Sequence, residues 1–141
     1  WYILEAISFY QPRILICEYN DVFGKDRAIS VPYDPQFIRT EKHYSNLYFG
    51  ASIAAMTYLA DKKGYALVGV NSNRNNAFYV RKDLLCDQVP AVDLDQIYEP
   101  SNIRESRNEA GRLTYLEGDN RLSLIKGLPI FNVKTNECEL L

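Results

Sequence analysis

Arg13-Ile-Leu-Ile-Cys-Glu-Tyr-Asn20 is the stretch whose reading decides the fold. The run from Ile14 to Cys17 is apolar, rich in β-branched side chains and too short for a buried helix. Pro12 bounds it on one side and a polar loop on the other, so it reads as a strand covered on both faces. It then ends in Glu18, Tyr19 and Asn20, a carboxylate, a phenol and an amide. Ligands of open α/β sheets sit outside the carboxyl ends of the strands, which makes this junction the first place to look for a site. The same residues also suit a core strand that simply reaches water there.

Upstream, residues 1–11 read as a helix apolar almost all round and stopped by Pro12. A helix of that kind needs protein on more than one side. With the opening at Trp1, it gives the expectation of a piece of a longer polypeptide. Downstream comes a long loop, 21–45, with Gly24, Pro32, Pro35 and several aromatic residues. Loops of that length are lids, binding loops or packing insertions. Residues 46–63 form the second expected helix, with a wide apolar stripe through Leu47, Ala51, Ala54 and Tyr58 and a terminating glycine at Gly64. Tyr65 to Val70 is a strand, 71–75 a tight turn, and Asn76 to Arg81 a third strand antiparallel to the second. The first and second strands, joined through a helix, make a parallel crossover. Ile14, Leu15, Ile16, Leu67, Val68, Phe78 and Val80 are the expected sheet core, with Ala51, Ala54 and Tyr58 packed on it. After residue 85 the pattern is less periodic. Pro90 and Pro100 break it, a helical turn fits 121–126, and a small hairpin fits 129–140.

A chain of 141 residues is one domain with room for a core. Its hydrophobic content of 47% and charged content of 24% are ordinary for a globular protein. The formal charge of −2, with no basic cluster, argues against a nucleic-acid surface. Cys17, Cys86 and Cys138 have neither CxxC spacing nor a histidine at ligand spacing, so no metal is expected and they read as cytosolic thiols. The longest apolar runs fall short of the roughly 20 residues that span a membrane, and a cytoplasmic location is expected.

Several motifs together resemble the second half of a class I S-adenosylmethionine-dependent methyltransferase domain, of the FkbM-like bacterial group. They are Trp1-Tyr-Ile-Leu-Glu-Ala-Ile7, Pro12-Arg-Ile-Leu-Ile-Cys-Glu-Tyr-Asn20, Ile29-Ser-Val-Pro-Tyr-Asp34, Tyr48-Phe-Gly-Ala-Ser52, Lys63-Gly-Tyr-Ala-Leu-Val-Gly69 and Asn75-Asn-Ala-Phe78. The resemblance implies an α/β fold: a partial Rossmann-like methyltransferase sheet with an irregular C-terminal extension. Residues 1–85 would be the C-terminal half of the domain, and 86–141 the extension packed on it. In that sheet the second strand of the Asn71–Asn76 hairpin lies in the middle, between the Ile14 strand and the Leu67 strand. The implied function is O-methyl transfer to a small molecule or sugar, with S-adenosylmethionine as cofactor. The chain has no glycine-rich turn after a first strand, and Gly24, Gly50, Gly64 and Gly69 are too scattered to replace one. The cofactor half is therefore expected upstream of residue 1, and this stretch alone is expected to be inactive. The alternative is a non-catalytic binding or assembly module of the same fold; a third reading is an unrelated small α/β domain.

Within this half, Glu18 and the lone His43 are the plausible bases for an acceptor proton, although a loop histidine is as readily a surface residue. Tyr19, Tyr33, Tyr48 and Phe49 are candidates for the wall of an acceptor pocket, or else core, and Asn20 is a further candidate for substrate binding. Asn71 and Asn76 can bind a substrate hydroxyl or simply form the turn, which asparagine does well. The expected partners are a small-molecule acceptor and a second copy of the chain. The copy would meet the apolar, unguarded Arg13–Tyr19 edge, which lacks the preceding strand of the family sheet.

Overall fold

The computed structural model describes residues 1–141 and has two small antiparallel sheets with helices around them. The first sheet contains β1 (Ile14–Glu18), β3 (Tyr65–Val70) and β4 (Asn76–Arg81) in the order β1-β4-β3. Both outer strands run antiparallel to β4 and so parallel to each other. The hairpin's second strand is thus in the middle, as expected. Its turn is closed by the Asn71 side chain, whose Oδ1 accepts from the backbone amides of Asn75 and Asn76 at 3.1 and 3.0 Å.

The expectation that β1 is covered on both faces is not met. Leu15 and Cys17 point inward, but Ile14 and Ile16 are 57% and 64% exposed. Strand side chains alternate between faces, so burial of one row says nothing about the other, and here nothing packs on the second row. Val68 and Phe78, also expected in the core, are only half-buried, whereas Leu67, Tyr79 and Val80 are buried. Truncating a buried leucine or isoleucine to alanine costs about 2–5 kcal/mol. Leu67→Ala should fall in that range, and Ile16→Ala at about 1 kcal/mol or less, read from urea midpoints at unchanged m value. Equal losses at both positions would mean that the outer row is covered after all.

Two helices differ from expectation. Helix α1 covers only Tyr2–Ala6; only Leu4 of it is buried, while Ile3, Phe9 and Tyr10 are exposed. The short helix α2 (Arg39–Lys42) lies in the long loop. Helix α3 is Ile53–Lys62, so it starts seven residues later than the expected 46–63. The residues before it cannot be helical, because Asn46 and Gly50 have positive φ of 61° and 63°. Ser52 provides the true start. Its Oγ accepts from Ala55 N at 3.1 Å, a serine N-cap, and also accepts from Ile29 N at 3.2 Å and donates to Arg27 O at 2.7 Å. Gly64, with φ of 84°, ends the helix where expected. The inner face of α3, with Ala55, Met56, Leu59 and Ala60, packs on Leu67, Ala77 and Tyr79.

The second sheet is built across a long sequence distance. Its strands are β2 (Ile29–Ser30), β5 (Pro129–Asn132) and β6 (Glu137–Leu140), in the order β2-β5-β6. The expected hairpin at 129–140 is present, turned through Asn136 with φ of 60°. Its pairing with the long loop was not foreseen, and Ile29 and Ser30 face Asn132 and Phe131. Behind it, Val22, Phe23, Leu47 and Tyr48 bury against Ile125 and Ile130. Helix α4 (Leu94–Ile97) and helix α5 (Asp119–Ile125) complete the chain. No helix is long and apolar enough to cross a membrane.

Candidate functional site

A cleft of about 990 Å³ opens outside the carboxyl end of β1. Its floor is the 3-10 helical turn Asp21–Phe23, which follows β1 directly. One wall is Arg74, on the turn between β3 and β4, with Pro100, Ser101 and Asn102. These wall segments are tied together: Ser101 Oγ donates to Asn73 O at 2.8 Å, and Asn102 Nδ2 to Ser72 O at 3.0 Å. The other wall is Arg104 and Glu117 with the first turn of α5, including Arg121. The strand-end rule therefore locates the cleft correctly, on residues not singled out in the sequence.

The interior is charged. Asp21 and Arg121 are each only 11% exposed, with Asp21 Oδ2 3.6 Å from Arg121 Nη1. The Tyr98 hydroxyl donates to Asp21 Oδ1 at 3.0 Å. Burial pushes the Tyr98 phenol up, and the Asp21 carboxylate pushes it further, so it stays a neutral donor. Burial lowers the Arg121 guanidinium, and Asp21 partly offsets this. Arg104 pairs with Glu117, and Arg74 with Glu99. Apolar lining is confined to Val22, Phe23, Leu122 and the Tyr98 ring.

None of the candidate residues singled out in the sequence lines this cleft. Glu18 is exposed on β1, opposite Asn76. His43 lies apart, its Nδ1 2.7 Å from Ser45 Oγ and its ring stacked beside Tyr44, and burial lowers its pKa. Asn20 is buried under the floor with its side chain fully spent. Its Nδ2 donates to Leu47 O at 2.7 Å and Phe49 O at 2.8 Å, and its Oδ1 accepts from Val22 N at 3.1 Å. Tyr19 is buried, and burial with the nearby Asp21 charge raises it to about 12. Tyr48 is core, with its hydroxyl bonded to Pro129 O. Tyr33 is exposed, edge-on to Tyr2 at 5.1 Å. Asn71 and Asn76 both bond Asn75 Oδ1 and hold the turn rather than a ligand. The structure thus brings together Asp21, Arg74, Tyr98, Arg104, Glu117 and Arg121. Asp21 was the readable one, as the first charge after the strand. Tyr98 and Arg121 lie too far along the chain for any local signal.

The residues present do not fit S-adenosylmethionine. Its sulfonium is a cation, and of the carboxylates lining the cleft Asp21 and Glu117 are engaged with Arg121 and Arg104, while Asp26 and Asp119 are exposed. Its adenine needs an apolar slot, and the few apolar side chains here are scattered among charges. No three His, Cys, Asp or Glu side chains come close enough to hold a metal ion. Compared with family models, with curated proteins and with solved structures, the chain matches none.

Proposed function

We propose that this chain forms the acceptor side of an S-adenosylmethionine-dependent, methyltransferase-like α/β domain acting on a hydroxyl of a small molecule or sugar. The cofactor of such a domain is held by residues other than those of this chain. The observation that carries this reading is the order β1-β4-β3, with a central strand antiparallel to both neighbours. That order matches the end of the sheet implied by the motifs, with α3 as the Rossmann-like crossover from β1 to β3. The outer edge of β1 has no strand on it, and Ile14 and Ile16 lie exposed beside it, which fits a sheet continuing on that side. The chain's own task in this reading is to receive the acceptor in the cleft and hold it still, the positional part of catalysis.

One observation favours the non-catalytic alternative. The inner carboxylates of the cleft are engaged, Asp21 with Tyr98 and Arg121 and Glu117 with Arg104, while Glu18 and His43 lie outside it. A cleft whose inner carboxylates are engaged, and whose unpaired ones, Asp26 and Asp119, are exposed, holds a ligand better than it deprotonates one. Calorimetry separates the readings. This chain alone should bind S-adenosylmethionine weakly or not at all, and micromolar binding would overturn the placement of the cofactor site elsewhere. The complete polypeptide should bind it measurably; no binding there would leave the binding module.

A further inference from the structure

Arg121 is a largely buried charge whose side chain makes no hydrogen bond. A guanidinium carries five N–H donors and stays protonated. In this one the Nε is buried and meets no acceptor, and the nearest carboxylate oxygen is 3.6 Å from Nη1, too long for a hydrogen bond. That oxygen belongs to Asp21, whose other oxygen already accepts from Tyr98. Arg39 adds a like charge nearby and Glu105 an opposite one. The other cleft guanidiniums differ. Arg104 has Glu117, Arg74 has Glu99 and the Pro100 carbonyl, and Arg27 has Glu139 at 2.6 Å. Removing a charge from water is costly unless its hydrogen bonds are filled, and those of Arg121 are not filled by protein.

We propose that the cleft binds a small organic anion, through a carboxylate or phosphate-ester group seated on Arg121, with Arg104 and Arg74 closing on it from the two walls. Only the role of this anion as methyl acceptor rests on the function proposed above; the binding itself does not. An anion fits better than a cation because Asp21 and Glu117 already have partners, and the remaining acids, Asp26 and Asp119, are exposed. It fits better than a neutral polyol because a planar guanidinium matches a carboxylate or phosphate with two parallel, charge-assisted bonds.

The test is a titration of the 141-residue chain, followed by amide chemical shifts and calorimetry, with glucuronate, glucose 6-phosphate, inorganic phosphate and glucose as probes. At least one acidic probe should bind saturably and shift the amides of Asp21–Gly24 and 118–122, while glucose should not. The tighter of glucuronate and glucose 6-phosphate tells a carboxylate from a phosphate-ester ligand. Arg121→Gln should weaken binding about tenfold or more, and Arg104→Gln about threefold, in line with the loss of charge-assisted bonds. Glucose binding as tightly as the acids, or affinity unchanged in Arg121→Gln, would overturn the proposal. If Arg121→Gln does not fold, Arg104→Gln decides, and an unchanged affinity there overturns it. Absence of S-adenosylmethionine binding by the complete polypeptide would remove the acceptor role and leave the anion site standing.

Discussion

Replacing Asn20 by alanine should destabilise the chain by about 2–5 kcal/mol, because one side chain satisfies two buried backbone groups and a third half-buried one. The amide holds Leu47 O, Phe49 O and Val22 N, at 2.7, 2.8 and 3.1 Å. Alanine leaves two carbonyls and an N–H without partners, each costing about 1–3 kcal/mol when buried. Asn20→Asp should be about as harmful. It keeps the acceptor for Val22 but turns a carboxylate toward two carbonyl oxygens. Urea unfolding at unchanged m value reads the loss. A change under about 1 kcal/mol in Asn20→Ala would show that residues 47–49 are held by their other contacts. Asp21 follows directly in the chain, so the same substitutions should also weaken ligand binding in the cleft.

Stability should fall steeply between about pH 10 and 12. Tyr19 and Tyr48, both buried, have phenols raised from 10.0 to about 12, mainly by desolvation. The sign follows from proton counting. Between the unfolded and folded values the native state holds protons that the unfolded chain has released, so rising pH favours unfolding. Each phenol moved from about 10 to about 12 accounts for roughly 2–3 kcal/mol, a large share of the stability of a small domain. Tyr79 and Tyr98 are raised as well, by burial first, so they add to the same loss. Tyrosinate absorbance and far-UV circular dichroism, followed together against pH, should show a late step in which ionisation and unfolding coincide. Smooth ionisation of all the tyrosines with the fold intact would contradict the burial of these rings.

What could be read from the residues was what is local. Gly64 ends a helix and the asparagine-rich turn folds β4 back on β3, and both act within a few residues. The true start of α3 was also local, in Ser52, but the apolar stripe running back to Leu47 masked it. Such a stripe can belong to a loop whose side chains bury in a second cluster, as Leu47 and Tyr48 do. The strand β2 carries no legible period because it has only two residues, and its partner is far away in sequence. The exposed row of β1 looked like core because periodicity reports the strand and not its cover. For the site, the strand-end rule gave the place, and the chemistry came from Tyr98, Arg104 and Arg121, which only the folded chain brings there.

The clasp between β2 and the C-terminal hairpin has a temporal consequence. Arg27 and Glu139, paired across it, are 112 residues apart in sequence. Loop-closure entropy of that size has to be overcome before such contacts reward it, so pairings of high contact order form late. A nascent chain leaves the ribosome at about 5–20 residues per second, and β1, β3 and β4 are all available once Arg81 has emerged. Residues 50–52 hold one edge of β2 early, through Ser52 and Gly50, but its other edge pairs only with 129–132, and the wall carrying Arg121 arrives only just before them. The first sheet can be present while the cleft is still open. Ligand competence is therefore gained later in synthesis than the first sheet, and lost when the distant ends of the clasp part.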